Sequence, residues 1–338
     1  MGLYQAVGRP LFFSLPPEAA HRLAVRMLGW PLPWEKIGGA SRDGRLRVTL
    51  AGVELANPIG LAAGFDKTGR RLGALGRIGF GYVVGGTFTR SPRRGSAKPR
   101  IARNPARRSM VNSMGLPNPG AEEAARTLAR EPRTAPRFAS IGDEAVDDAL
   151  AAHALLEPHV DAVELNASCP NVSWGRDRDN EAHLAALLHE LGARRAKPLF
   201  VKLPPFSSEV ERQVVLALAR IAQEGGADGL TCSNTRPIED PRLATGAGGL
   251  SGRDLFERTP LIVRDVREAT GGELPINACG GVFTTADALA CIEAGATTVQ
   301  VYSGLVYEGP RIVGAITSGL AAKLLERGVV VAELVGRA

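Results

Sequence analysis

The chain is poor in the residues that mark several common protein classes. Aromatic residues make up 5% of its 338 positions, so its core must be aliphatic. There are four cysteines, Cys169, Cys232, Cys279 and Cys291, and none is spaced from another as in CxxC. That excludes a disulfide-built scaffold and a cysteine zinc site, and it fits a reducing compartment. The five histidines, His21, His153, His159, His183 and His189, form no pair with metal-ligand spacing, so no metal is expected. The first strand candidate is not followed by GxGxxG, and there is no Walker A sequence, which argues against resident NAD or ATP. No apolar run reaches membrane-spanning length, and the N-terminus lacks the apolar core of a signal peptide.

Several features are present in strength. Glycine is abundant at 40 residues, as suits a fold with many tight strand-to-helix turns. The formal net charge is +6. Part of the excess crowds one stretch, Arg90, Arg93, Arg94, Lys98, Arg100, Arg103, Arg107 and Arg108. Such a stretch reads as a solvated loop or as a partner surface for an anion, a nucleic acid or an acidic membrane.

From Asn57 onward a strand-then-helix rhythm repeats eight times. The strand candidates are Ile59–Ala63, Tyr82–Gly86, Phe138–Ile141, Ala162–Leu165, Leu199–Leu203, Gly229–Cys232, Ile276–Ala278 and Thr298–Val301. Helical patterns follow them, including Val146–Leu156, Glu181–Ala196, Glu209–Glu224 and Pro310–Arg327. In Glu209–Glu224 the residues Val210, Val214, Leu218 and Ile221 share one face. Eight such units in about 270 residues predict an α/β fold of the (β/α)8 TIM-barrel type. A doubly wound sheet is the alternative, disfavoured by the count of eight. Residues 1–40 stand apart as an N-terminal helical segment before a barrel over 41–338. Ala20, Leu23, Ala24, Met27 and Leu28 give that segment an amphipathic face. It has three uses open to it: capping the barrel, lying on a bilayer, or forming a mouth for an apolar ligand.

In a (β/α)8 barrel the C-terminal strand ends carry the chemistry. Polar residues concentrate there, above all in Glu164-Leu-Asn-Ala-Ser-Cys-Pro-Asn171. Two amides, a hydroxyl and a thiol at a strand end suit a flat ligand rich in heteroatoms. Lys202, inside the apolar run Val-Lys-Leu-Pro-Pro, is read as functional, because burying an ammonium without a partner costs several kcal/mol. Glycines after the last two strands let backbone N–H groups reach a phosphate.

The motifs Asn57-Pro-Ile-Gly-Leu-Ala-Ala-Gly-Phe-Asp-Lys67, Asn112-Ser-Met-Gly115, Asn166-Ala-Ser-Cys-Pro-Asn171, Ser233-Asn-Thr235, Gly248-Gly-Leu-Ser-Gly252 and Gln300-Val-Tyr-Ser-Gly304 together resemble the dihydroorotate dehydrogenases. These are FMN enzymes of pyrimidine synthesis, and the resemblance covers nearly the whole chain. It implies oxidation of dihydroorotate to orotate. FMN would contact Ala63, Gly64, Thr87, Ser140, Asn166, Lys202 and Ser233, with Gly252, Gly280, Gly281, Tyr302 and Ser303 at its phosphate end. Lys67, Asn112, Ser113, Met114, Gly115, Leu116, Asn166, Asn171, Asn234 and Thr235 would bind the substrate. Cys169 would be the catalytic base, assisted by Lys67. The segment Phe13–Ala24, with Phe65-Asp-Lys67 and Lys98–Arg103, resembles the membrane-associated class that reduces quinones, whose quinone site maps to His21, Arg103 and Tyr302. The cysteine base, Ser140-Ile-Gly142 and Val201-Lys-Leu-Pro-Pro205 resemble the soluble class that reduces fumarate. A quinone is the favoured acceptor, with peripheral contact at the cytoplasmic face of the membrane. Fumarate, or a different FMN barrel such as a tRNA dihydrouridine synthase, is the alternative. The first of these readings needs no nucleic acid. A barrel that binds a phosphorylated metabolite without redox chemistry is a further alternative.

Overall fold

A computed structural model describes residues 4–142, 145–167 and 180–337. Its centre is a closed barrel of eight parallel strands in chain order. They are β1 (Ile59–Leu61), β2 (Tyr82–Phe88), β3 (Arg137–Ile141) and β4 (Ala162–Leu165), then β5 (Leu199–Leu203), β6 (Gly229–Cys232), β7 (Ile276–Cys279) and β8 (Thr298–Val301). Each is short and almost wholly buried, because helices cover its outer face and side chains fill its inner face. The eightfold expectation holds strand by strand.

The barrel floor is aromatic despite the chain's shortage of such residues. Tyr82 and Phe138 stack with centroids 4.7 Å apart, and Phe138 and Phe200 follow at 5.5 Å. Two glycines make room for them. A Cβ on Gly60 would lie 2.4 Å from the Tyr82 ring, and one on Gly229 would lie 2.4 Å from Phe200. Either contact is impossible without displacing a ring.

The helices differ from expectation in two places. The helix expected over Pro310–Arg327 is preceded by a separate one, Ser303–Glu308, and the two are divided at Gly309 (φ 77°) and Pro310. In the helix Glu209–Glu224 the buried residues are Val215, Leu216, Leu218, Ala219 and Ala222. Val210 and Val214 are exposed, while Leu218 is buried and Ile221 packs against the core, so the expected face holds in the second half of the helix only.

An element with no counterpart in the sequence reading stands at the mouth. The long excursions after β2 and β6 pair into a four-stranded antiparallel sheet of Ile101–Asn104, Ser109–Asn112, Ala247–Gly252 and Arg236–Glu239. It has its own small core of Ala102, Val111, Leu243 and Leu250. Part of the basic stretch is used here. Arg100 is buried and pairs with Glu18, while Arg107 pairs with Asp254 and Arg108 with Glu308. The solvated-loop expectation fails for Arg100 and holds for Arg90, Arg94, Lys98 and Arg107, whose side chains are exposed.

Two N-terminal helices, α1 (Arg9–Ser14) and α2 (Pro17–Met27), lie across the same end of the barrel. Three arginines fasten them. Arg100 donates to both Glu18 carboxylate oxygens at 3.1 Å. Arg71 Nε donates to the Val25 carbonyl at 3.1 Å. Arg103 donates to the carbonyls of Phe12, Phe13 and Leu15, closing the end of α1.

Candidate active site

A cavity of about 1890 Å³ opens from the C-terminal ends of the barrel strands and continues beneath α1 and α2. Its inner half is polar. Asn166 and Thr87 face it from the ends of β4 and β2, and Ser233, Asn234 and Thr235 follow β6. Their side chains hold one another in a fixed order. The Thr235 N–H donates to Asn234 Oδ1 at 2.8 Å, and Asn234 Nδ2 donates to Asn166 Oδ1 at 3.2 Å. Asn166 Nδ2 then donates to Thr87 Oγ1 at 3.0 Å, and Thr87 meets Ser140 Oγ at 2.9 Å. The orientation of both amides is thereby set before any ligand arrives.

Lys202 reaches the cavity from β5, and Lys67 from the turn after β1. Lys67 Nζ donates to the Gly64 carbonyl, which also accepts from Tyr302 Oη at 3.2 Å. Burial pulls the Lys67 ammonium down to about 8, with the Asp66 charge opposing. Asp66 itself is engaged by the backbone N–H groups of Thr68, Gly69 and Arg71.

The far end of the inner half is lined by Ser251, Gly252, Gly280, Gly281 and Ser303. Gly252, Gly280 and Gly281 have φ of 98°, 149° and 71°, conformations that other residues rarely adopt, and a Cβ there would strike the Arg108 carbonyl, Thr259 Oγ1 and the Phe256 nitrogen respectively. The hydroxyls of Ser251 and Ser303 are 3.2 Å apart. This end holds neutral donors and backbone, and no carboxylate lines it among the described residues. It accepts a phosphate without repulsion, while the amides and Lys202 suit a flat ring that gathers negative charge. The donor set therefore fits FMN.

The outer half is apolar and lies under α2. His21 packs edge-on to Phe65 at 5.3 Å, and Phe65 to Tyr302 at 5.9 Å, so a file of rings joins α2 to the barrel mouth. Burial, then the neighbouring Lys67 charge, push the His21 imidazole down to about 3. It is a neutral ring near pH 7. Burial pushes the Tyr302 phenol up to about 12.

The structure brings most of the expected residues to this one cavity. Ala63, Gly64, Thr87, Asn166, Lys202, Ser233, Gly252, Gly280, Gly281, Tyr302 and Ser303 all line it. So do Lys67, Asn112, Met114, Leu116, Asn234 and Thr235, and also His21 and Arg103. Three do not reach it. Ser140 is wholly buried behind Thr87, Ser113 is buried with its hydroxyl turned inward, and Gly115 packs against Ser96. Cys169 and Asn171 lie outside the described residues. Sequence reasoning missed Cys279 and Gln300, which line the cavity from β7 and β8, and Glu18, whose pairing with Arg100 fastens α2. It also missed Glu164 as a partner of Lys202. The period-two alternation that turns Glu164 and Asn166 to the same side of β4 was the available signal.

A family model described as dihydroorotate dehydrogenase matches residues 45–324. A protein of Synechococcus sp. (strain JA-3-3Ab) named "Dihydroorotate dehydrogenase (quinone)" is 38% identical over 353 residues, covering 95% of this chain and 93% of the relative. One of the same name from Chloroflexus aurantiacus (strain ATCC 29366 / DSM 635 / J-10-fl) is 39% identical, covering 89% of this chain and 92% of its own. Among solved structures, DHODH from Eimeria tenella in complex with ferulenol superposes with a TM-score of 0.82 at 27% identity, over 97% of this chain and 98% of that one.

Proposed function

The chain belongs to the dihydroorotate dehydrogenase family, in its quinone-dependent class, and from that premise we propose how its residues divide the work. The reaction is oxidation of dihydroorotate to orotate, with a quinone as final acceptor. FMN, in this flavin-dependent family, supplies an acceptor for the hydride and passes two electrons on. The observation that carries the assignment is one cavity with two unlike halves. The polar half has fixed amides and two lysines, and the apolar half lies under α2.

Lys67, Asn112, Asn234 and Thr235 bind the planar acid, the Lys67 ammonium pairing with its carboxylate. Asn171 joins them from the sequence reading. Cys169 takes the C5 proton as the hydride leaves C6, so the substrate loses one proton and one hydride in total. A positioned base contributes roughly 10²–10⁴ in rate. Ser140 supports Thr87 from behind instead of touching the ring. Lys202 offsets the charge that arrives with the hydride. His21, Arg103 and Tyr302 line the quinone passage.

The apolar side chains of Val7, Leu11, Trp30 and Leu32 are exposed on the N-terminal segment, and they form its contact with a bilayer. No helix among the described residues is long and apolar enough to cross a membrane, so the contact is peripheral. Quinone is favoured over fumarate because the relatives named for a quinone match 95% and 89% of this chain.

The test is anaerobic. Dihydroorotate should bleach the flavin colour, and a quinone analogue, not fumarate, should restore it. Cys169→Ala should stay yellow and lose turnover by the factor above. Failure of dihydroorotate to bleach the protein refutes the substrate assignment, and recovery by fumarate alone refutes the acceptor.

A further inference from the structure

Beneath Lys202 the barrel interior holds an ordered polar chain. Tyr82 Oη donates to Thr298 Oγ1 at 2.9 Å, because Thr298 spends its own proton on Asn277 Oδ1 at 2.6 Å. Asn277 Nδ2 donates to Thr231 Oγ1 at 3.2 Å, and Thr231 donates to Glu164 Oε2 at 2.9 Å. Four successive donations run across β2, β8, β7 and β6, and all point the same way. They converge on a carboxylate that is 0% exposed. Its other oxygen, Oε1, has no hydrogen-bond partner among the described residues and stands 4.0 Å from Lys202 Nζ. A carboxylate is not buried this deeply without a reason, since desolvating it costs several kcal/mol. Donors alone would be satisfied as well by a neutral amide. What an amide lacks is the charge.

We propose that Glu164 is a positioning residue of the cofactor site, a counter-charge that keeps Lys202 ionised before and after electron transfer. The inference rests on the flavin reading of the cavity. FMN bound in this cavity would gain one unit of negative charge on accepting a hydride, and Lys202 would be an ammonium held ready to offset it. With Glu164 in place, Lys202 neither gains nor loses a proton in that event, and the favourable field is preorganised. Without it, burial of Lys202, at 6% exposure, favours the neutral amine while the ring is oxidised. Reduction then draws a second proton onto Lys202. The other titratable groups facing this pair among the described residues are the Cys279 thiol on β7 and the Tyr82 phenol on β2. Burial pushes both upward, so neither carries charge near pH 7.

The experiment is a midpoint potential of the bound flavin between pH 6 and 9, on the full chain as purified. Glu164→Gln should have a more positive potential than the parent at pH 6, where Lys202 is charged and the Glu164 carboxylate no longer opposes it. Its potential should then fall more steeply with pH, by one extra proton per two electrons. In a Lys202→Met background, adding Glu164→Gln should change neither the potential nor the slope. A Glu164→Gln line that overlays the parent's overturns the proposal, and so does an equal shift with and without Lys202. Should the variant fail to fold, the parent decides. Proton uptake on full reduction at pH 8 is one per two electrons if Lys202 stays charged, and an uptake of two overturns the proposal. A parent protein that carries no flavin refutes the functional reading instead, by a different observable.

Discussion

Lys67 is the residue whose chemistry is most open to direct measurement. Burial lowers its ammonium to about 8. The charged form is therefore present below that pH and lost above it, with the sign opposite to that of a thiol base. A pH profile of kcat/KM for dihydroorotate should rise with Cys169 ionisation and fall again above about pH 8, tenfold per unit, as Lys67 loses its proton. Lys67→Met should remove the alkaline fall. It should also weaken substrate affinity roughly 10- to 100-fold, the worth of a charge-assisted hydrogen bond at 1.5–3 kcal/mol. At this scale the sequence was readable where a residue type is out of place. Lys202 in an apolar strand and the amides at strand ends announced themselves. Glu164 did not, because a second carboxylate three residues after Asp161 looks ordinary until closure of the barrel turns it inward. Ser113 and Ser140 were misplaced for the complementary reason: adjacency to a site residue says nothing about which way a hydroxyl faces.

At the scale of elements, the barrel strands were legible because burial on both faces imposes continuous apolar runs. The sheet at the mouth was not. Its strands are short and carry Arg103, Asn104, Asn112, Arg236 and Glu239, and its register joins Val111 to Leu250, a pairing no local pattern reveals. That sheet nevertheless governs how α2 is held, through Arg100 and Glu18. Burial raises the Glu18 carboxyl, but hydrogen bonds and charge from Arg100, with Lys98, outweigh it and hold the group below its ordinary range. Its depressed value means that the tether is present above the usual carboxylate range and is lost as pH falls through the folded value. Glu18→Gln should leave the buried Arg100 guanidinium without its anion, at a cost of about 1–3 kcal/mol for a largely buried pair whose guanidinium keeps its carbonyl partners Arg94 and Ser96. Reduction by dihydroorotate should survive in this variant while KM for the quinone analogue rises, a split that steady-state kinetics reads directly.

At the scale of the whole molecule, the N-terminal segment divides between two loyalties. Leu28 and Trp34 belong to the main core, whereas Phe13 packs with Tyr307 and Phe283 in a separate small cluster over the mouth. Deleting residues 1–27 should therefore spare the barrel and its reaction with dihydroorotate, and abolish quinone reduction. A cut through residue 40 should also lower Tm, since burying a Trp-sized side chain is worth 3–5 kcal/mol. Differential scanning calorimetry beside a quinone assay separates the two. The floor of the barrel carries a consequence for how such a chain can diverge. Tyr82 occupies the room that Gly60 vacates, and Phe200 does the same over Gly229, so volume there is held jointly by strand neighbours. Neither member of a couple can change size alone without a clash or a void, and descent at these positions proceeds by paired exchange or stands still.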